Sequence, residues 1–393
     1  MRKLLLILGL LIPFFGFSQG EVVEEENWFK KHWDIGGYIK YLNTTNVLKK
    51  DSVLLDNLFH NRINIEGYFR QSLTLAVEFR NQLFLGETVK AFSGTYGSLL
   101  DIDNGAVDMT WVWLDKNAAA GQTIIDRAYL NYSRGSWDVG LGRQRINWGV
   151  NLVWNPNDLF NSYQIIDFDY EERPGSDALR VQYFTKNNAS VEVAFKAARD
   201  ADELVGAIKY RFNKNLYDYQ FLVASYETDI AFGMGWAGSI KNAGFKGEAT
   251  YFQPRMDFFK TRGVFSGSVE FDYAFRKEVY LSGAFLVNTG GVNNSVLPPV
   301  LLLYGQELSA KNLIPSKYSN YIHVSGTFTP GFTGGFTGIY LYGLNLAYLM
   351  PTLAYSISNN WEVDLTSQIF IGENRHEFEH FGSSVVVRLR FSY

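Results

Sequence analysis

The chain has 393 residues, with 36 Lys and Arg against 40 Asp and Glu, and no cysteine. The length admits two or three soluble domains or one large barrel. The net charge of −4 argues against a nucleic-acid partner, and the lack of cysteine excludes disulfides, a lipid-modified cysteine and thiolate metal sites.

The first segment is basic and then apolar: Met1-Arg2-Lys3 followed by an almost wholly apolar run from Leu4 to Phe17. Gly16 and Ser18 are small residues where a signal peptidase reads them, so residues 1–18 are expected to be a secretory signal peptide cut before Gln19. The alternative is an uncleaved anchor, although the run is shorter than the roughly 20 residues a spanning helix needs. Residues 19–32 make a short acidic-aromatic arm, too small for the plug domain of an energy-coupled receptor.

From residue 33 to residue 393 the chain is predicted to be all-β: a transmembrane antiparallel barrel of about 18 strands, each with the period of two that a tilted spanning strand shows. Ile63, Ile65, Gly67 and Phe69 form one face; Arg62, Asn64, Glu66, Tyr68 and Arg70 form the other. Leu73, Leu75, Val77 and Phe79 then alternate with Thr74, Ala76, Glu78 and Arg80. Aromatic residues make up 16% of the chain while mean hydropathy is only −0.11, because inward polar and outward apolar residues cancel in the average. Long connections are expected after Leu42, Leu83, Trp148 and Thr289. Tight ones are expected at Gln71-Ser72, Arg134-Gly135, Asn187-Asn188, Lys241-Asn242, Arg276-Lys277 and Asn359-Asn360. Such asymmetry is the mark of short periplasmic turns and long extracellular loops. Two loops are candidates for folding inward to narrow the lumen: the one carrying Trp111, Val112 and Trp113, and the one carrying Trp154.

One motif stands apart from the strand pattern. Gly142-Arg143-Gln144-Arg145-Ile146-Asn147-Trp148-Gly149 is followed by Trp154-Asn155-Pro156-Asn157-Asp158-Leu159-Phe160-Asn161. It resembles the GRQ…WG…NP.D segment of porin-like outer-membrane barrels, with alginate-export barrels as distant relatives. The resemblance implies a diffusion channel, with Trp148, Trp154, Asn155, Pro156 and Asp158 in a loop of functional weight. Strict alternation from Trp137, Val139 and Leu141 would put Arg143 in lipid, at a cost of about 2–4 kcal/mol at mid-bilayer. Either Arg143 lies above the hydrocarbon, or a bulge at Gly142 turns it into the lumen.

The charged inward faces suggest a pore lining. Arg62, Arg70, Arg80, Arg127, Arg143 and Arg145 fall on early strands, with Arg388 and Arg390 beside them once the barrel closes; Glu248, Glu270 and Asp272 fall across from them. Opposed rows would set a transverse field that sorts ions. The alternative is local pairing, such as Glu362 or Asp364 with Arg390 in the last hairpin. His376-Glu377-Phe378-Glu379-His380 matches a zinc-protease spacing, but that chemistry needs a helix and the motif is expected in a loop between strands. No catalytic, metal or cofactor site is predicted.

The closing segment alternates Val385, Val387, Leu389, Phe391 and Tyr393 with Arg388, Arg390 and Ser392. It resembles the C-terminal signature of bacterial outer-membrane barrels, which implies that Phe391 and Tyr393 act as an assembly signal read by the barrel-assembly machinery. The expected function is a passive channel for small polar solutes or ions in the outer membrane of a Gram-negative bacterium, in contact with its lipids. The other classes are the outer-membrane component of a specific exporter, or a blocked barrel that binds or adheres through its loops.

Overall fold

The computed structural model describes residues 28–48, 52–103, 105–161, 175–256, 258, 260–276, 278–293, 308–374 and 377–393. Residues 1–18, most of the 19–32 arm and His376 lie outside them. The strands run β1 (Trp33–Leu48), β2 (Val53–Phe69), β3 (Leu73–Gly86), β4 (Thr110–Lys116), β5 (Ala119–Arg134), β6 (Trp137–Gln144) and β7 (Ser176–Phe184). They continue as β8 (Ser190–Lys196), β9 (Val205–Lys214), β10 (Tyr217–Tyr226), β11 (Asp229–Ile240), β12 (Ala243–Pro254) and β13 (Val264–Ala274). The last are β14 (Val279–Asn288), β15 (Tyr318–Thr329), β16 (Phe332–Tyr342), β17 (Leu346–Ser356), β18 (Trp361–Asn374) and β19 (Glu377–Ser392).

Each strand pairs antiparallel with its neighbour, and β19 returns to β1 from Tyr38↔Ser392 to Leu48↔Gly382. Eighteen strands therefore close a ring with no free edge, which is the condition for a sheet to sit in hydrocarbon. β4 is the extra one. It pairs with residues 119–124 of β5, while β6 pairs with residues 128–134 of the same strand. It thus completes the wall where the short β6 has ended. Trp111 and Trp113 join the wall here, whereas Asp103 and Val107 of the same connection turn in to Arg143.

The faces are inverted relative to a soluble protein. Ile39, Phe59, Leu141, Phe221, Phe271 and Leu365 point outward and are 41–59% exposed, while Arg62, Glu192, Lys209, Glu248 and Glu270 point inward and are buried. Only an apolar solvent makes that arrangement favourable. One outward stretch departs from it. Asn43 and Tyr41 donate to Asn57 at 3.0 and 2.6 Å, Asn81 donates to Asn61 at 3.3 Å, and Thr123 donates to Asn81 at 2.8 Å. These side chains satisfy one another, as polar groups without water must.

The turn expected at Gln71-Ser72 is centred one residue earlier, and a further tight turn, not marked by the sequence, falls at Asn215-Leu216. Arg70 and Gln71 have φ of 51° and 58°, and Asn215 and Leu216 have 54° and 65°, the paired left-handed residues of a type I′ hairpin. The long connections 87–118, 145–175 and 289–317 all join strand ends on the opposite side of the barrel from these turns. The long loop expected after Leu42 does not exist: β1 runs on to Leu48 and its pairing with β2 reaches Val47↔Val53. Glu377–His380 belong to β19, so this part of the protease-like spacing lies on a strand and not in the expected loop. Successive side chains of a strand point to opposite faces, and a helical metal site cannot form there.

Candidate functional site

Residues 145–161 leave the end of β6 and enter the barrel, where the inner wall supplies polar partners from several strands. Ile146 N–H donates to Asn161 Oδ1 at 2.7 Å, and Asn161 donates to Ser176 of β7 at 3.2 Å. Trp148 Nε1 donates to Glu192 of β8 at 2.8 Å, and Gln220 of β10 donates to the Trp148 carbonyl at 2.7 Å. Lys209 lies 4.8 Å above the Trp148 ring and pairs with Glu192 at 3.0 Å. Asn157 reaches the Met234 carbonyl of β11 at 3.0 Å, and Thr250 of β12 donates to the Pro156 carbonyl at 2.9 Å.

Apolar packing holds the rest. Trp148 stacks edge-on with Phe160, and Trp154 meets Tyr321 of β15 with ring centroids 6.2 Å apart. Trp154 is 1% exposed among Leu286, Ile314, Ile339, Tyr348 and Phe370, all of which point inward. Burial of each such side chain contributes about 1.5–3 kcal/mol, so one half of the lumen is filled by a packed core. Asn155 packs against Gly149, whose Cβ would otherwise meet Asn155 Oδ1 at 2.2 Å, and Asp158 N–H donates to the Asn155 carbonyl at 3.1 Å. Arg145, Asn147 and Leu152 stay exposed on the segment's free side.

Glu248 and Glu270 are 1% and 0% exposed. They lie beneath this segment and accept its backbone N–H groups, so they do not form an open acidic row facing the arginines. Asp272 is half-buried and pairs with Lys246 at 3.1 Å. The expected transverse field loses its acidic side for this reason.

Arg143 lies inside the barrel, 5% exposed. Its register with β5 and β7 stays one-to-one, so no extra residue is inserted. Gly142 instead takes φ of 118°, and a Cβ there would stand 2.3 Å from the Ala128 carbonyl, a turn open to glycine. The guanidinium then holds Asp177 at 2.7 Å and, through Nη1, Asp103 of the 87–118 connection at 2.7 Å. Burial works to raise the Asp103 carboxyl, but Arg143 and the amides of Met109 and Gly105 outweigh it and hold it below the usual carboxylate range.

The opposite wall carries the remaining cations. Arg62 is buried and bonded to Glu78 and, at 2.7 Å, to Asp126; Arg80 reaches Asp126 at 3.1 Å. Asp126 and Arg127 both turn inward because β5 carries an extra residue between Glu78↔Arg127 and Phe79↔Ile125. Arg127 is 4% exposed, with Nη1 on the Asp126 carbonyl at 3.1 Å, so it is a buried tie. Arg70 lies in the β2–β3 turn, outside the strand and outside the lumen row. In the last hairpin Arg388 takes Asp364 at 2.7 Å, and Arg390 lies 4.6 Å over the Tyr38 ring. A recess of about 470 Å³ lies between the two inward loops, lined by Arg80, Asp126, Arg143, Phe160, Lys196 and Glu203.

Sequence reasoning missed Asp103, Asp126, Asp177, Glu192 and Lys209. The broken alternation at Ile125-Asp126-Arg127 marks the bulge, but nothing local marks Glu192 as a partner of Trp148. The two residues expected to act as an assembly signal sit at the seam: Phe391 packs 4.9 Å from Trp361, and Tyr393 exchanges backbone bonds with Gly37 at 3.0 and 3.1 Å.

No family model matches the chain, and no curated protein matches it by sequence. Solved structures do match in fold. OccAB4 of Acinetobacter baumannii aligns over 92% of this chain and 98% of that one, at 8% identity and a TM-score of 0.56. OccK5 (OpdH) of Pseudomonas aeruginosa aligns over 92% and 99%, at 9% identity and 0.55. The outer membrane protein OpdK of P. aeruginosa aligns over 92% and 99%, at 9% identity and 0.54.

Proposed function

We propose that the chain is a passive outer-membrane channel for small polar solutes or ions, related in build to porin-like barrels, with both termini on the periplasmic side. The observation that carries this reading is the lumen itself. A closed ring of 18 strands is wide enough for an aqueous path, and residues 145–161 occupy one half of it against β7–β15. The solute path runs along the other half, past Arg80 and Arg388, whose side chains stay 19% and 15% exposed. The GRQ…WG…NP.D segment supplies the narrowing element, and Arg145 and Asn147 on its free side face the path. Support also comes from the outer-membrane protein OpdK, whose fold this chain shares.

The test is solute flux. Liposomes reconstituted with folded protein should swell in small sugars and amino acids, with rates that fall as solute size rises. Liposomes that stay closed to every small solute, with heat-modifiable protein present, would leave a blocked barrel as the better account.

A further inference from the structure

We propose, building on the channel reading, that Glu248 is the positioning residue that holds the inward segment across the lumen, and that Glu270 is an auxiliary contact which tolerates loss of its charge. The two side chains project inward from neighbouring strands β12 and β13. Both are buried, and both meet the segment through its backbone. Glu248 Oε1 accepts from Val150 N–H and, at 2.8 Å, from Asn151 N–H; its Oε2 accepts from Asn157 N–H at 2.9 Å. One carboxylate therefore ties both ends of the 150–157 turn. Glu270 uses Oε2 alone, accepting from Leu152 N–H at 2.8 Å and Val153 N–H at 3.3 Å, and its Oε1 is buried with no hydrogen-bond partner.

An ionised carboxylate is an acceptor at both oxygens, whereas an amide offers one acceptor and one donor group. The same substitution must then act differently at the two positions. In Glu248→Gln, either orientation of the amide sets an NH₂ against backbone N–H donors. In Glu270→Gln, the carbonyl can keep Leu152 and Val153 while the NH₂ takes the place of the unpartnered oxygen. The neighbouring cation gives no substitute hold, because Lys246 pairs with Asp272. The flanking contacts of Gln220 and Thr250 reach the Trp148 and Pro156 carbonyls and the Asn157 side-chain oxygen, so neither takes up the N–H groups that Glu248 receives. Because N–H groups are recognised, the hold does not depend on the side chains at 150–153.

The chain has no cysteine, so Val153→Cys introduces a single thiol at a position 5% exposed within the apolar cluster. Maleimide labelling of the full folded chain in detergent should be slow in Val153→Cys and equally slow with Glu270→Gln added. With Glu248→Gln added it should speed up by about tenfold or more, the scale of losing a charge-assisted hydrogen bond. In planar bilayers the Glu248→Gln channel should show larger or fluctuating conductance, and the Glu270→Gln channel should match the unaltered one. If Glu248→Gln does not fold, Glu248→Asp, which keeps the charge but withdraws it from the turn, should give the same release. Unchanged labelling in a folded Glu248 variant overturns the proposal, and so does equal release by Glu270→Gln. If no variant conducts, the channel reading fails, and labelling still decides the role of Glu248.

Discussion

Arg143 shows how much one side chain can tie together. Its guanidinium joins the end of β6 to β7 through Asp177 and to the 87–118 connection through Asp103. Replacing it by Ala leaves two buried carboxylates without their cation, which should cost about 3–5 kcal/mol. Denaturant unfolding in detergent, compared with the conservative Arg143→Lys, measures this; a loss below 1 kcal/mol for Ala would contradict it. Asp103 adds a pH dependence. Its carboxyl is held below the usual range, so its contribution is complete above the unfolded value of about 3.9 and is lost as pH falls through the lower folded value. A spin label at Val107→Cys should keep constant mobility from pH 7 down to about 4 and loosen only below that. Loosening near pH 6 would refute the tie. From the sequence, Arg143 had two possible locations, because alternation alone cannot report a glycine at φ of 118°. The carboxylates that settle it lie 34 and 40 residues away along the chain.

At the scale of the strand, alternation carried nearly all of the wall. All six predicted tight turns fall in short connections between strands. What failed was the end of β1, where Asn43, Thr44, Thr45 and Asn46 look like a loop but pair with both β2 and β19. The Asn43 and Asn46 amides find partners across strands in Asn57 and Asp56, which composition cannot reveal. The inside–outside assignment has a direct test on β6. Leu141 is 59% exposed on the outer face, so Leu141→Arg should lower stability by about 2–4 kcal/mol if it lies at mid-bilayer, read as loss of heat-modifiable barrel. Tolerance of this change would mean the face is not in lipid. At the seam, removing Phe391, Ser392 and Tyr393 deletes the packing on Trp361 and the paired bonds to Gly37. Secreted but unassembled chain is the expected product, and normal barrel from the truncated gene would contradict it.

For the whole molecule, the ring and the rough position of the inward loop were legible, but the division of the lumen was not. Glu248 and Glu270 looked like pore-lining charges because a strand pattern gives a residue's face and not what covers it. The segment that covers them is about 100 residues away in sequence, as the 98-residue separation of Val150 from Glu248 illustrates. With those acids covered, the charge on the proposed solute path comes mainly from Arg80, Arg388 and their neighbours, and Arg80→Gln should move selectivity toward cations without loss of folded protein. Single-channel recording in planar bilayers tests the central claim most directly: that this barrel is open along one half and narrowed by residues 145–161. Heat-modifiable wild-type protein should give discrete conductance steps. Its reversal potential under a salt gradient should favour anions, and Arg80→Gln should shift it toward cations. A folded wild-type barrel that yields no steps, or one whose reversal potential ignores Arg80, would contradict the account.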